Sequence, residues 1–255
     1  MKIFKNANKD KGTPIILPNA KSIRIACFTL GAVSWIVGLV LWWQQGIDVT
    51  VLFYYNAMRI ANDPIVIYSQ WLSSYGMAAI TAIFVAYLLV SQKLKSLDAP
   101  LTIYFYTICS FGWGAITGSI LKEIIDRPRP ADTFGNEILV FSQGLSPAFP
   151  SGHAAKSIAL ILPFILLVGD SKNLHKAIKI VIAFIACGVC FSRVVLGAHY
   201  VSDVVAGMGI ALIGLPFSML FVNMVLRRTN QERLPFLSRV WGIVLIFLTY
   251  VFMLM

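Results

Sequence analysis

Charged side chains are scarce in this chain, and acidic ones are scarcer than basic ones. Only 13% of its 255 residues are Asp, Glu, Lys or Arg, whereas 58% are hydrophobic. A soluble domain carries about 25% charged residues, so this composition excludes an ordinary soluble protein and predicts a polytopic membrane protein. Lys and Arg outnumber Asp and Glu by 21 to 11. Because no basic patch is interleaved with aromatic residues, we expect no nucleic-acid partner.

Cysteines and metal-ligating clusters are also few. The four cysteines lie inside apolar segments and imply no disulfide framework, and the pair Cys187 and Cys190 lacks the second pair that a zinc site needs. The sequence has no carboxylate cluster and no His/Cys set of metal-ligand type, so we expect neither a metal nor another cofactor. It also lacks an internal inverted repeat, which would have favoured a transporter.

Apolar runs divide the chain into candidate membrane spans. They cover residues 23–43, 65–91, 101–124, 154–169, 177–196, 200–226 and, more briefly, 239–255. Residues 47–63 are too mixed to cross a bilayer and predict an amphipathic helix at the interface. The predicted fold class is therefore all-α, a polytopic transmembrane helix bundle of six helices with a seventh C-terminal span and an interfacial helix. Trp42 and Trp43 are expected to anchor the first span, and Gly197-Ala198 to form a tight turn.

The distribution of basic residues predicts the orientation of these spans. With the N-terminus inside, 15 of the 21 Lys and Arg residues fall on the cytoplasmic side, which is the arrangement that membrane insertion favours. This predicts a cytoplasmic tail over 1–22, a transmembrane domain over 23–226, and a cytoplasmic loop plus the extra span over 227–255. Three short polar stretches then share the extracytoplasmic face.

The richest of these stretches runs from Ser192 to Asp203. Ionisable groups at membrane depth are costly and usually face a polar interior, so they are candidates for function. His199 and Asp203 stand four residues apart, which places them on one helix face if the helix includes residue 199. The carboxylate would hold one imidazole nitrogen and leave the other free as a nucleophile or base. The alternative is a buried pair that satisfies itself between helices.

A second polar stretch closes the third span, with Lys122 on the last turn and two prolines flanking Arg129. Proline disfavours continuation of a helix. We therefore expect a stiff exit that leaves the planar guanidinium of Arg129 free for phosphate oxygens. The alternative is a set of ordinary snorkelling charges. The loop at about 131–149 is expected to shape the mouth of the site, with Asp132 and Glu137 solvated.

The third stretch, Pro150-Ser151-Gly152-His153, opens the fourth span. Serine is a favoured N-cap, glycine lets a ligand approach the backbone, and a helix N-terminus offers N–H groups to an anion. His153 would point into the same space, and a capped helix start with an interfacial histidine is the alternative. Together the three stretches suit displacement at phosphorus, with Lys and Arg rather than magnesium neutralising the phosphate charge.

Taken in order, K-x6-RP (Lys122 to Pro130), PSGH (150–153) and SR-x5-H-x3-D (Ser192 to Asp203) resemble the signature of the type 2 phosphatidic acid phosphatase superfamily. The resemblance covers roughly residues 65–226. It implies that His199 forms a phosphohistidine, that Asp203 orients it, and that His153 protonates the leaving group and then activates water. The residues implied to hold the phosphate oxygens are Lys122, Arg129, Ser151, Gly152 and Arg193.

The resemblance also implies a function. We expect an integral, metal-independent lipid phosphatase of a bacterial inner membrane, with its site facing the periplasm or exterior. The expected partner is a lipid phosphate: a polyprenyl pyrophosphate, which its frequency in the family favours, or phosphatidylglycerol phosphate, phosphatidic acid or lipid A. The oligomeric state is left open. The superfamily includes soluble acid phosphatases and vanadium haloperoxidases, which the spans argue against. A lipid phosphotransferase and a non-catalytic lipid transporter or binder are the alternatives.

Overall fold

The computed structural model describes residues 20–57, 63–93, 101–142, 144–169 and 173–228, and the regular structure in these ranges is helical. The helices are α1 (Ala20–Gln44), α2 (Gly46–Ala57), α3 (Pro64–Lys93), α4 (Leu101–Ile125), α5 (Pro130–Phe134), α6 (Gly152–Leu167), α7 (Asn173–Val195) and α8 (Val201–Arg228). The six predicted spans in these ranges are confirmed as helices, with bounds within four residues. The predicted seventh span, 239–255, and residues 1–19 of the N-terminal tail lie outside the described residues.

The long helices have the apolar character of membrane spans. Among the described residues, four segments are long and apolar enough to cross a bilayer: Lys21–Gln44, Ile103–Glu137, Asn173–Val195 and Val201–Val225. Helix α3 has 30 residues, but serines and a glutamine in its first half lower its mean hydropathy. Helix α6 is apolar but has only 16 residues, fewer than the roughly 20 that span a hydrocarbon core. It is an inner helix shielded by its neighbours.

Helix α6 lies at the centre of the bundle. It packs against α4, α7 and α8, while α1 lies along α8 and α3 lies along α7. Ala154, Ala155 and Ala159 of α6 are fully buried. Small side chains let neighbouring backbones approach closely, which is how helices pack when hydrophobicity alone does not distinguish protein from lipid. Exposed Ile, Leu and Phe side chains lie on the outward faces of the surrounding helices, including α1, α4, α7 and α8.

The predicted interfacial segment, 47–63, contains most of helix α2, and its residues 58–62 lie outside the described residues. Helix α2 has two polar side chains buried towards the bundle. Asn56 donates to the Leu139 carbonyl at 2.5 Å and accepts from the Leu139 amide at 2.6 Å. Asp48 is also buried. Of the two tryptophans predicted to anchor the first span, Trp43 is 89% exposed, and the centre of the Trp42 ring lies 5.1 Å from that of Phe149. Helix α2 and the end of α1 therefore contribute to the same end of the bundle.

The segment predicted as a plain loop at about 131–149 contains helix α5 and a 3-10 turn at Gly135–Glu137. Pro130 is the first residue of α5, where the missing N–H costs nothing and the fixed φ suits a helix start. Asp132 accepts a hydrogen bond from the Arg129 amide at 3.1 Å. Asp132 and Glu137 are both exposed, as predicted, and Asp132 in addition caps the start of α5.

Candidate active site

Four helix ends meet at one end of the bundle and bring the three polar stretches together. They are the C-terminal ends of α4 and α7 and the N-terminal ends of α6 and α8. The Ser151 amide donates to the Asp203 carbonyl at 2.9 Å, and a Cβ added to Gly207 of α8 would lie 2.5 Å from the Ser151 carbonyl oxygen. Only a glycine at 207 lets α6 start this close to α8. All eight predicted site residues lie in this region.

His199 and Asp203 are in contact, but not as two residues of one helix. His199 Nδ1 lies 3.3 Å from Asp203 Oδ2, and α8 begins only at Val201. Asp203 reaches back across the first turn, and its Oδ2 also accepts from the Tyr200 amide at 2.9 Å. This is the acidic half of a capping box. The predicted pairing is confirmed, while the assumption that residue 199 is helical is wrong.

The turn before His199 fixes where its ring projects. The amides of Ala198 and His199 both donate to the Arg193 carbonyl at 3.1 Å. Gly197 has a φ of +67°, a left-handed conformation that glycine adopts at no steric cost. A Cβ there would lie 3.2 Å from the Leu139 carbonyl. The predicted tight turn at Gly197-Ala198 is therefore confirmed, and it holds the catalytic candidate rigidly between α7 and α8.

The three predicted phosphate-binding cations are buried and bonded to protein oxygens. Lys122 Nζ donates to the Pro147 carbonyl and to Ser146 Oγ at 3.4 Å. Arg129 donates through Nε to the Ser146 carbonyl at 2.6 Å and through Nη1 to the Ala198 carbonyl at 3.0 Å. The prediction that the guanidinium of Arg129 is free is therefore wrong, because two of its nitrogens donate to backbone carbonyls. Arg193 is bonded to serine hydroxyls at 73 and 142.

Two polar atoms in the site have a different environment. Ser151 Oγ and Arg193 Nε are buried and have no hydrogen-bond partner among the described residues. Ser151 occupies the predicted N-cap position of α6, but its hydroxyl makes no side-chain cap bond. Leaving a buried donor or acceptor unpaired costs about 1–3 kcal/mol, and such atoms are concentrated where a protein has a functional reason for them. Both would suit the oxygens of a bound anion.

The remaining predicted residues line the same region. A Cβ added to Gly152 would lie 3.8 Å from Lys122 Cε, so the backbone of Gly152 is open towards the lysine. His153 is on the first turn of α6 and interacts electrostatically with Arg193, His199 and Lys122. The structure therefore brings both predicted catalytic histidines beside the predicted phosphate-binding cations.

The excess of buried cations favours an anionic ligand. The protonation state of His199 favours a nucleophilic imidazole. Four buried cations (Lys122, Arg127, Arg129, Arg193) accompany two buried carboxylates (Asp48, Asp203) at this end of the bundle. Burial lowers the pKa of His199 well below its ordinary value, the neighbouring cations lower that pKa further, and a hydrogen bond to the Ala148 backbone raises it. The imidazole is therefore neutral at neutral pH, as attack on phosphorus requires.

Sequence reasoning missed two buried charged residues, Arg127 and Asp48. Arg127 lies within the x6 part of the first motif and was counted only as one more basic residue. Its Nη1 lies 2.5 Å from Asp203 Oδ1, and its Nη2 lies 2.9 Å from Asp48 Oδ2. A lone aspartate in an apolar segment is itself a signal of function, so Asp48 could have been singled out. Its partners, Arg127 and Ser202, could not be identified from the sequence, because the contacts depend on how α2 packs.

A family model matches the part of the sequence that forms this site. Residues 100–229, from α4 to the end of α8, match the model described as the PAP2 superfamily. The chain belongs to the PAP2 superfamily. The match covers the three motifs, and the predicted resemblance is confirmed.

Two curated phosphatases resemble part of the chain in sequence. The lipid A 1-phosphatase of Rhizobium johnstonii is 33% identical over 108 residues, or 40% of this chain. That of Rhizobium etli is 33% identical over 96 residues, or 35% of this chain. These alignments span 39% and 38% of the two relatives, about two fifths of their length.

A solved structure extends the likeness to most of the fold. The Bacillus subtilis transmembrane PAP2-type phosphatidylglycerolphosphate phosphatase superposes with a TM-score of 0.55 at 20% identity, covering 82% of this chain and 98% of its own. At this identity the match establishes the fold. The chain is thus an all-helical integral membrane protein of the PAP2 type.

Proposed function

We propose that this PAP2 protein is a lipid phosphatase in which His199 attacks the phosphorus of a membrane lipid phosphate. The observation that carries the proposal is the contact between His199 and Asp203 beside an excess of buried cations. The carboxylate holds Nδ1 and stabilises the positive imidazole that forms on attack, which leaves Nε2 as the nucleophile. The phosphatase domain would comprise residues 23–226, between a cytoplasmic tail (1–22) and a C-terminal segment (227–255).

The reaction proceeds in two balanced steps. In the first, a bond forms between His199 Nε2 and phosphorus and the bond to the lipid oxygen breaks. His153, whose protonated form is favoured by the negative charge of the bound phosphate, gives its proton to that oxygen. In the second, His153 takes a proton from water, the resulting hydroxide attacks phosphorus, and the bond between nitrogen and phosphorus breaks. Inorganic phosphate leaves and both histidines return to their starting states.

The phosphate would be held by residues from all three motifs. Lys122, Arg129 and Arg193 neutralise its charge, and Ser151 Oγ and the Gly152 amide donate to its oxygens. Substrate oxygens would replace the contacts that Ser146 and Pro147 now make with Lys122 and Arg129. Among the described residues, His, Cys, Asp and Glu do not gather in a group of three or more that could hold a metal. We therefore propose a metal-independent reaction.

The basic residues and the named relatives support a side of the membrane and a substrate class. The basic residues favour an N-terminus inside, which supports a site on the periplasmic or outer face of a bacterial inner membrane. The named relatives act on lipid A or on phosphatidylglycerol phosphate. We accordingly place those two lipids first in the candidate set, ahead of polyprenyl pyrophosphate and phosphatidic acid.

Phosphate release by the purified protein in detergent tests this proposal. The four lipids would be assayed with wild type and with His199→Ala, each with and without EDTA. We expect release that requires His199, persists in EDTA and is inhibited by vanadate. Release lost in EDTA would contradict the metal-free reaction, and release retained by His199→Ala would contradict the nucleophile. If phosphate appears only when an acceptor lipid is added, and appears on that lipid, the protein is a phosphotransferase.

A further inference from the structure

A buried arginine joins two carboxylates from distant parts of the chain. Arg127 is 5% exposed, and Asp48 and Asp203 are 1% and 0% exposed. The guanidinium lies 2.9 Å from Asp48 Oδ2 and 2.5 Å from Asp203 Oδ1. Its carbon lies 4.0 Å from the centre of the Tyr200 ring and 5.1 Å from that of Trp42. These rings fix the plane of the guanidinium and exclude water from the three charges.

The two oxygens of Asp203 have separate partners. Oδ1 accepts from Arg127, whereas Oδ2 faces His199 Nδ1 and the Tyr200 amide. The carboxylate cannot rotate without breaking one of these sets of contacts. Arg127 therefore determines which oxygen faces the imidazole and at what angle.

Asp48 ties this arrangement to the start of α8. Its Oδ1 accepts from the Ser202 amide at 2.9 Å, and its Oδ2 accepts from the Ser202 hydroxyl. Ser202 is the second residue of α8, so Asp48 supplies from α2 the cap that this helix end needs. The residue after Ser202 is Asp203. A displacement of Asp48 would thus act on the catalytic carboxylate through both the backbone and Arg127.

The number of charges is as important as their geometry. With Asp203 alone, Arg127 would form a neutral pair and would weaken the pull of the carboxylate on His199. With Asp48 present, two carboxylates share one guanidinium and the cluster carries a formal charge of −1. Asp203 then retains negative charge for the imidazole, which must become positive when it attacks phosphorus.

We infer that Asp48 and Arg127 are positioning residues of the catalytic centre, which orient Asp203 and preserve its charge for His199. This inference rests on the proposed function. Asp48 lies in α2, outside residues 100–229 that match the family model. The catalytic centre would therefore be completed by a helix that precedes the matched core.

The test compares Asp48→Asn and Arg127→Lys with a matched control. Asparagine at 48 can still accept from Ser202 but removes the charge, and lysine at 127 keeps the charge but cannot bridge two carboxylates. Asp126→Asn is the control, because Asp126 is exposed, precedes Arg127 directly, and has a left-handed φ of +46° that asparagine tolerates. Each protein would be assayed for kcat and KM on the best lipid, with Tm and size-exclusion profile recorded.

We expect both variants to lose kcat by about 10- to 100-fold, as when the partner that orients a ligating histidine is removed. KM and the elution profile should stay near wild type, and Asp126→Asn should keep full turnover. If Asp48→Asn and Arg127→Lys keep the wild-type kcat, this inference is overturned and the proposed function is not affected. A loss of kcat in proportion to the loss of folded protein would also overturn it, because the two residues would then only stabilise the fold. If wild type itself releases no phosphate, or His199→Ala releases as much, the proposed function fails first.

Discussion

At the scale of single residues, the chemistry depends on how each cation presents its donors. Arg193 directs Nη1 to Ser73 and Nη2 to Ser142 and leaves buried Nε without a partner among the described residues. The serines orient the guanidinium, so its planar set of donors is fixed before a phosphate arrives. A lysine would keep the charge but lose this geometry.

We therefore predict that Arg193→Lys lowers kcat/KM by about 10- to 100-fold, since hydrogen bonds to charged groups contribute about 1.5–3 kcal/mol. Steady-state kinetics on the best lipid would measure this loss. Arg24→Lys, near the start of α1 and far from the site, should change nothing. Unchanged turnover in Arg193→Lys would remove Arg193 from the phosphate site.

The pH dependence should follow the state of His199. The ordinary imidazole pKa is about 6.5, and burial and cations lower the pKa of His199 below it. The active neutral form of His199 therefore persists on acidification, and its loss should lower kcat/KM only below pH 6.5. Removing a cation in Arg129→Gln should raise the pKa of His199 and move the acid limb to higher pH. A wild-type acid limb above 6.5 would contradict the assignment.

The sequence predicted which residues form the site better than how they are bonded. Three ordered motifs were enough to identify eight residues that the fold brings together. Spacing could not reveal that Asp48 meets a residue 79 positions away, because such contacts depend on how α2 packs. Nor could it show that Ser146 would occupy the donors of Arg129.

At the scale of helices, the site depends on how closely α6 and α8 approach. A Cβ at Gly207 would lie 2.5 Å from the Ser151 carbonyl oxygen and 3.1 Å from the Ala154 side chain. Backbone cannot yield as a flexible side chain can, so even alanine must push the start of α6 away. The sequence predicted both helices from their apolar runs, but it gave no sign of this contact.

We predict that Gly207→Ala lowers the free energy of unfolding by about 1–3 kcal/mol, the usual range for overpacking, and lowers turnover by displacing Ser151 and Gly152. Thermal unfolding in detergent and phosphate release would measure the two effects. Gly118→Ala is the matched control, because a Cβ at this helical glycine meets nothing within 4 Å. Equal Tm and turnover in both variants would contradict the packing argument.

At the scale of the whole molecule, orientation in the membrane decides which leaflet supplies the substrate. The site lies where α4 and α7 end and where α6 and α8 begin. The opposite end includes the start of α7 at Asn173. Charge asymmetry predicts the direction, because Lys and Arg are retained on the cytoplasmic side.

We predict that Glu137→Cys, at an exposed position beside the site, reacts with a membrane-impermeant maleimide in intact cells. Asn173→Cys, exposed at the other end, should react only after the cells are broken. The protein without an introduced cysteine gives the background labelling of its four native cysteines. If Asn173→Cys is labelled in intact cells and Glu137→Cys is not, the active site lies on the cytoplasmic face of the membrane.

The most direct measurement is to trap the phosphoryl group on the enzyme. Wild-type protein would be mixed with a substrate labelled in its phosphate, quenched in alkali within milliseconds, digested and mapped by mass spectrometry. We predict an alkali-stable, acid-labile phosphohistidine on the peptide that contains His199, absent from His199→Ala. Rapid turnover with no labelled peptide, or with the label on His153 instead, would contradict attack by His199.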